Sequence, residues 1–157
     1  MDTKNRFHTR ETYLLVRAED IALVGVLSVL LALHAREVHW GRFFLAFVII
    51  DLVGYLPGAI TYRRAGGTRI APVYHHLYNL THSYLAAGAT VGAWALAAGG
   101  WEWAMLAVPI HLSGDRGIFG NTYKPAALSF EPAALPAGDQ APAAALVSPG
   151  PVGEVSR

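Results

Sequence analysis

The last strongly apolar segment of the chain ends in the sequence IHLSGDRGIFGN, residues 110–121. His111, Asp115 and Arg116 place an imidazole, a carboxylate and a guanidinium within this stretch. On a helix, His111 and Asp115 are i,i+4 neighbours on one face, where they can share a ligand. Because polar groups are costly in an apolar segment, the stretch predicts partners for them on other apolar segments.

Composition favours a membrane protein. Of the 157 residues, 54% are hydrophobic and only 15% are charged, and the apolar runs are about 20 residues long, the length of a bilayer-spanning helix. A soluble helical bundle would show polar stripes along each helix. The absence of cysteine excludes disulfides, thiolate metal sites and cysteine nucleophiles. A net charge of +1 without a long basic run predicts no nucleic-acid partner.

The apolar runs predict an all-α fold, a four-helix transmembrane bundle over residues 1–124, with helices at about 13–34, 42–62, 73–98 and 101–119. Pro57 should weaken or kink the second helix. Small residues in the second half of the third helix suit close helix packing. From Pro125 onward the chain is rich in Ala, Pro and Gly. Residues 125–157 are therefore predicted to be a disordered tail without a role in the site.

The positive residues predict the orientation. Lys4, Arg6 and Arg10, the loop 63–69 and Lys124 all fall on one side of a four-helix topology. The positive-inside rule then places both termini in the cytoplasm, in a multi-pass protein of the cell membrane. No removable signal peptide is recognised at the N-terminus. The expected partners are the lipid bilayer and a hydrophobic small-molecule substrate, and a second copy of the chain is a further candidate.

Three ionisable residues are predicted to reach one depth. His111 lies ten residues from Trp101, Asp51 eleven from Trp40, and His82 ten from Pro72. Each distance is about 15 Å along a helix. His82 alone would more often be an interhelical hydrogen-bonding group. Placing a carboxylate such as that of Asp51 at mid-bilayer costs about 3 kcal/mol, however. Asp51 should therefore pair with another polar group or take part in the function.

A second layer is expected one turn nearer the cytoplasm, formed by Asp115, Tyr55, Asn79 and His75, with Glu19 of the first helix at a comparable depth. The predicted catalytic residues are Asp51, His82, His111, Asp115 and Glu19. The predicted substrate-binding residues are Tyr55, His75, Tyr78, Asn79, Arg116 and Asn121. Simple anchoring of the fourth helix is an equal alternative for Arg116. His76, His34 and His39 are expected to take no part.

Two motifs carry a family resemblance. The sequences YNLTH, residues 78–82, and HLSGDRGIFGN, residues 111–121, resemble the YNxxH and HxxxDRxxG signatures of a group of small bacterial four-helix membrane proteins, a domain of unknown function. The resemblance covers about residues 13–124. It departs at residues 117–120, where the group has a GYG-type turn and this chain reads GIFG. The resemblance implies a four-helix membrane fold with a site, but no activity.

Metal-free acid–base chemistry is the favoured prediction. A carboxyl group in an apolar pocket has a raised pKa and can protonate an alkene, epoxide or enol. Asp51, Glu19 or Asp115 would be the acid and His82 or His111 the base, with tyrosines stabilising developing positive charge. This predicts a small membrane cyclase or isomerase acting on an isoprenoid- or polyketide-like substrate, with no cofactor favoured and zinc or iron left open.

Two alternatives stay open. His82, His111 and a carboxylate, Asp115 or Asp51, could hold zinc or ferrous iron for a hydrolase or oxygenase, with His75 as a further ligand. The same groups could belong to a non-enzymatic accessory subunit or a proton pathway. The second half of the third helix carries no ionisable residue. The expected pocket is therefore closed at one end, which favours an enzyme.

Overall fold

Helices account for nearly all of the regular structure. The computed structural model describes residues 10–131 and contains no strand within them. The α-helices are α1 (Arg10–Leu33), α2 (Trp40–Gly54), α3 (Leu56–Arg64), α4 (Pro72–Thr81), α5 (Tyr84–Ala98) and α6 (Ala107–Gly114). A 3₁₀ helix (Trp103–Leu106) precedes α6, and a π-helical turn (Asp115–Phe119) follows it. The all-helical prediction is thus confirmed.

Helices α2 and α3 form one apolar rod. The peptide N–H of Tyr55 donates to Asp51 O, and that of Ala59 donates to Tyr55 O, so the hydrogen bonding continues across the junction. Pro57 lies in the first turn of α3, where its missing N–H costs least. The stretch Trp40–Arg64, which contains an 18-residue window with a mean hydropathy of 2.1, is the one helix among residues 10–131 long and apolar enough to cross a membrane.

The third predicted helix is divided in two. α4 ends at Thr81, and α5 begins at Tyr84. Ser83 is extended (φ −95°, ψ 140°), and its hydroxyl accepts a hydrogen bond from the peptide N–H of Ala86. Because a serine in this position stabilises a new helix start, the chain breaks here although its apolar character continues. α5 is apolar but only 15 residues long.

α6 and the turns beside it form the centre of the packing. Ala104, Met105, Ala107 and Ser113 have no exposed surface. α1, α2 and α5 pack around α6, and α1 also packs against the π-helical turn. In contrast, α1, α2 and α5 expose many aliphatic side chains, among them Val26, Val29, Leu45, Val48 and Leu85. Large exposed apolar surfaces are typical of proteins that contact lipid or a partner.

The prediction of a disordered tail is wrong for its first residues. The sequence predicts disorder from Pro125, but residues 125–131 pack against α3 and α4. Phe130 is fully buried, and its ring lies over Gly58, where a Cβ atom would come within 2.3 Å of it. Tyr62 donates a hydrogen bond to Glu131 O, and Arg69 donates one to Ala127 O. One aromatic residue therefore anchors a segment whose composition suggests no structure. The leader 1–9 and residues 132–157 lie outside the described residues.

Candidate functional site

Four side chains meet where α2, the α4–α5 break, α6 and the π-helical turn come together. Asp51 belongs to α2, His82 follows α4, His111 belongs to α6, and Asp115 begins the π-helical turn. Each offers one ligand atom, and these atoms all lie within 4.8 Å of one another. The structure thus brings together four residues that the sequence singles out on three separate apolar segments.

The distances in this Asp51–His82–His111–Asp115 cluster suit metal ligands better than hydrogen bonds. His82 Nε2 lies 3.3 Å from Asp51 Oδ1 and 3.4 Å from Asp115 Oδ2. His111 Nε2 lies 3.7 and 3.8 Å from the same two oxygens. In a tetrahedral zinc site with bonds of about 2.1 Å, neighbouring ligand atoms are about 3.4 Å apart. A charge-assisted N–H···O bond is shorter, about 2.7–2.9 Å.

The backbone presets the orientation of His82. Its Nδ1 lies 3.0 Å from Tyr78 O and 3.0 Å from the hydroxyl oxygen of Thr81. Nε2 is then the ring nitrogen that faces the two carboxylates. The Tyr78 ring stacks on the imidazole at 4.0 Å with an interplanar angle of 15°. Such second contacts are typical of metal-binding histidines, since they select the tautomer and hold the ring.

His111 is buried without a hydrogen bond. Neither of its ring nitrogens has a hydrogen-bond partner among the described residues. Its ring contacts the edge of Phe47 at 4.7 Å and is tilted against His82 at 5.5 Å. Because buried polar side chains nearly always have partners, this imidazole points to a ligand in the cluster.

Two glycines permit the close approach of the elements. At Gly54 a Cβ atom would lie 1.9 Å from Thr81 Oγ1 and 3.1 Å from His82 Cε1, so α2 can reach the end of α4 only without a side chain there. At Gly117 a Cβ atom would lie 2.7 Å from the peptide nitrogen of Ile21 on α1. Arg17 donates hydrogen bonds to the carbonyls of Gly117 and Ile118. The π-helical turn that carries Asp115 is held in this way, and such turns are frequent at functional sites.

A cavity of about 280 Å³ opens beside the cluster. The predicted residues Asp51, Asp115, Tyr55, Tyr78 and Asn121 line it. The Asp51 side chain is half exposed, whereas those of His82 and His111 are buried. The carboxylate of Asp51 is therefore the more accessible part of the cluster, at the wall of this cavity.

Other predicted binding residues position the backbone instead. Asn79 accepts a hydrogen bond from the peptide N–H of Lys124 and donates one to Lys124 O, which ties the chain after the π-helical turn to α4. Arg116 donates to His82 O, and its guanidinium lies 4.3 Å from the centre of the Tyr84 ring. His75 is buried against Phe130, and neither of its ring nitrogens has a hydrogen-bond partner among the described residues.

Glu19 is not placed as the sequence suggests, because it is exposed on α1 and does not join the cluster. Its neighbour Asp20 is buried and accepts a hydrogen bond from Tyr84. Each residue turns a helix by about 100°. Counting residues from the end of a helix therefore predicts how deep a side chain lies, but not which face of the helix carries it. Arg17, three residues before Asp20, donates instead to the carbonyls of Gly117 and Ile118. His76 is exposed, as expected.

Lys124 and the segment after it are the residues that the sequence reasoning misses. Lys124 lines the cavity, and its Nζ lies 5.0 Å from the Tyr78 ring centre and 4.7 Å from that of Phe130. Burial lowers the pKa of Lys124. The sequence signal that could have identified Lys124 is its position three residues after Asn121, the last residue of the motif.

Comparison of the chain with protein-family models, with curated proteins and with solved structures finds no match. The resemblance to the group with YNxxH and HxxxDRxxG signatures therefore stays a prediction from two motifs. Any function has to be argued from the geometry of the cluster and its cavity.

Proposed function

We propose that the chain is a small multi-pass membrane hydrolase with a divalent metal ion, zinc or ferrous iron, bound by Asp51, His82, His111 and Asp115. The observation that carries the proposal is the set of four nitrogen–oxygen distances of 3.3–3.8 Å around one point. The buried imidazole of His111, which has no hydrogen-bond partner among the described residues, also supports it. Two imidazoles and two carboxylates are a donor set that suits both metals.

The chemistry follows from the exposure of the ligands. A zinc ion would polarise a carbonyl group and make a bound water acidic near neutral pH. Asp51, half exposed to the cavity, would accept a proton from the attacking water. The water oxygen bonds to the carbonyl carbon of an ester or amide, and the bond to the leaving alcohol or amine breaks. The proton passes from Asp51 to that leaving group.

A membrane location is the second part of the proposal. The apolar stretch Trp40–Arg64 and the exposed aliphatic faces of α1 and α5 support it. In this arrangement the four predicted segments cross the bilayer, both termini are cytoplasmic, and the cavity opens toward the cytoplasmic side. Its substrate would be a lipid-like molecule that enters from the surrounding bilayer.

Metal content tests the proposal directly. Protein purified in a neutral detergent is expected to contain about one zinc or iron per chain by elemental analysis. His82→Ala and His111→Ala should each remove most of it. His76→Ala is the matched control, since His76 is an exposed histidine of α4. A metal content that the two cluster variants leave unchanged would contradict the proposal.

A metal-free cyclase or isomerase is the second candidate. Its support is the 3.3 Å contact of His82 Nε2 with Asp51 Oδ1, which also suits proton transfer, beside the rings of Tyr55 and Tyr78 in the cavity. Activity on an isoprenoid-like substrate that survives removal of all metal by a chelator would favour this candidate. Hydrolysis of acyl esters that is lost with the metal and restored by added zinc would favour the hydrolase.

A further inference from the structure

The ammonium group of Lys124 lies in an aromatic cage beside the cavity. Its Nζ is 4.7 Å from the ring centre of Phe130, 5.0 Å from that of Tyr78 and 5.6 Å from that of Tyr55. Among the residues lining this cavity in the described part of the chain, Lys124 is the one lysine or arginine. The cavity therefore has aspartates at the cluster and one positive charge elsewhere on its wall.

The ammonium group of Lys124 uses few of its hydrogen-bond donors. An ammonium group has three donors, and the one hydrogen bond found for it within residues 10–131 goes to Phe130 O at 2.8 Å. The carboxylate of Glu131 is 3.8 Å from Nζ, beyond hydrogen-bond distance. Its Oε1 atom is buried and has no hydrogen-bond partner among the described residues. Lys124 is thus a desolvated cation whose counter-ion, Glu131, is not within hydrogen-bond distance. Such a cation favours an anion that can form hydrogen bonds with it.

The surroundings of Lys124 are suited to an amphiphile. A second cavity of about 290 Å³ shares Tyr78, Asn121, Lys124 and Glu131 with the first. Either space is at the small end of ligand pockets and suits a head group rather than a whole lipid. Phe119 lines the first cavity and is exposed, so an apolar chain can leave the cavity along it.

We infer that the cavity binds an amphiphile with an acidic head group, a carboxylate or a phosphate, whose oxygens replace the Glu131 carboxylate at Lys124. This inference names the substrate class of the proposed hydrolase and so rests on that proposal. In such a substrate the ester or amide that is cleaved lies close to the acidic head group. With the head group at Lys124, this bond lies within the cavity that Asp51 and Asp115 also line.

Binding of simple amphiphiles tests the inference without an activity assay. Titration calorimetry in a neutral detergent compares decanoate, decyl phosphate and the uncharged decanamide, all below their micellar concentrations. The two acids should bind at least about tenfold more tightly than the amide, since a charged hydrogen bond contributes that much. The tighter of the two acids identifies the head group. Equal binding of acids and amide would overturn the inference.

Variants assign the preference to Lys124. Lys124→Gln should bring the acids to the affinity of decanamide, whereas Lys124→Arg should retain the preference. Arg64→Gln, which removes an exposed cation of α3, is the matched control and should change nothing. Glu131→Gln should tighten acid binding severalfold, because it removes the competing carboxylate. Unchanged acid binding in Glu131→Gln contradicts the replacement step even if Lys124→Gln fails to fold.

Removal of the metal separates this inference from the proposed function. Protein stripped by a chelator should still prefer the acids, because Lys124 remains in place. A preference that is lost on stripping but kept in Lys124→Gln would show that the acid binds the metal, which overturns the inference and leaves the metal site standing. A Lys124-dependent preference in a protein without hydrolytic activity would sustain the binding site while the hydrolase fails.

Discussion

Gly117 lies where the π-helical turn touches α1, and a methyl group has no room there because the contact atom belongs to the backbone of Ile21. We predict that Gly117→Ala destabilises the protein by about 1–3 kcal/mol, the usual cost of overpacking. Gly25→Ala is the control, since nothing lies within 4 Å of a Cβ atom on that residue of α1. Thermal unfolding in detergent measures both, and equal midpoints would contradict the contact.

Arg116 acts on the cluster through the carbonyl of His82. Arg116→Lys keeps the charge but loses the planar group that lies over Tyr84 and donates to that carbonyl. We predict a metal affinity about tenfold lower, the usual effect of a residue supporting a ligand. Competition with a chelator measures it, with the exposed Arg63→Lys as control. An affinity equal to that of the control would show that Arg116 only anchors the turn.

The break between α4 and α5 is the element that places His82, and Ser83 maintains it by capping α5. Ser83→Ala should destabilise the protein by about 1 kcal/mol, because the N–H of Ala86 loses its acceptor. Ser28→Ala, an exposed site within α1, should be neutral or slightly stabilising, since alanine is the better helix former. Denaturation monitored by circular dichroism compares them. A Ser83→Ala protein as stable as Ser28→Ala would show that the break does not depend on the cap.

The segment 125–131 is an element held by one ring. Phe130→Ala should undock it, since truncating a buried phenylalanine costs about 3 kcal/mol or more. We predict that hydrogen exchange of these residues accelerates on the order of 100-fold. Leu128→Ala is the control, because Leu128 is exposed. Slow exchange that persists in Phe130→Ala would mean that the contacts of Tyr62 and Arg69 suffice.

At the scale of the whole molecule, the proposed four-span arrangement can be tested with single cysteines, because the chain has none. We predict that Thr68→Cys reacts with an impermeant maleimide only from the cytoplasmic side and His39→Cys only from the opposite side. Both residues are exposed. Leu85→Cys, on the apolar face of α5, should react from neither side. Labelling of residues 39 and 68 from the same side would refute the arrangement.

The sequence was informative about the cluster for a clear reason. Asp51, His82 and His111 are ionisable residues within apolar segments, where an ionisable group costs free energy and is therefore easy to recognise. Their depth along each helix can be estimated by counting residues. The same counting failed for Glu19, because depth does not specify the face of a helix. It also failed for the third segment, where hydropathy continues across a serine that ends one helix and begins another.

By itself the sequence determined that the chain is helical and which of its residues are too costly to be incidental. Periodicity and hydropathy are local properties, so both can be read directly from the sequence. Only the tertiary structure decided that Asp115 joins the other three ligand atoms, that Arg116 supports His82, and that Lys124 and Phe130 complete the cavity. Most of these contacts join residues far apart in the chain, and they depend on close approaches permitted by Gly54, Gly58 and Gly117 that no local pattern encodes.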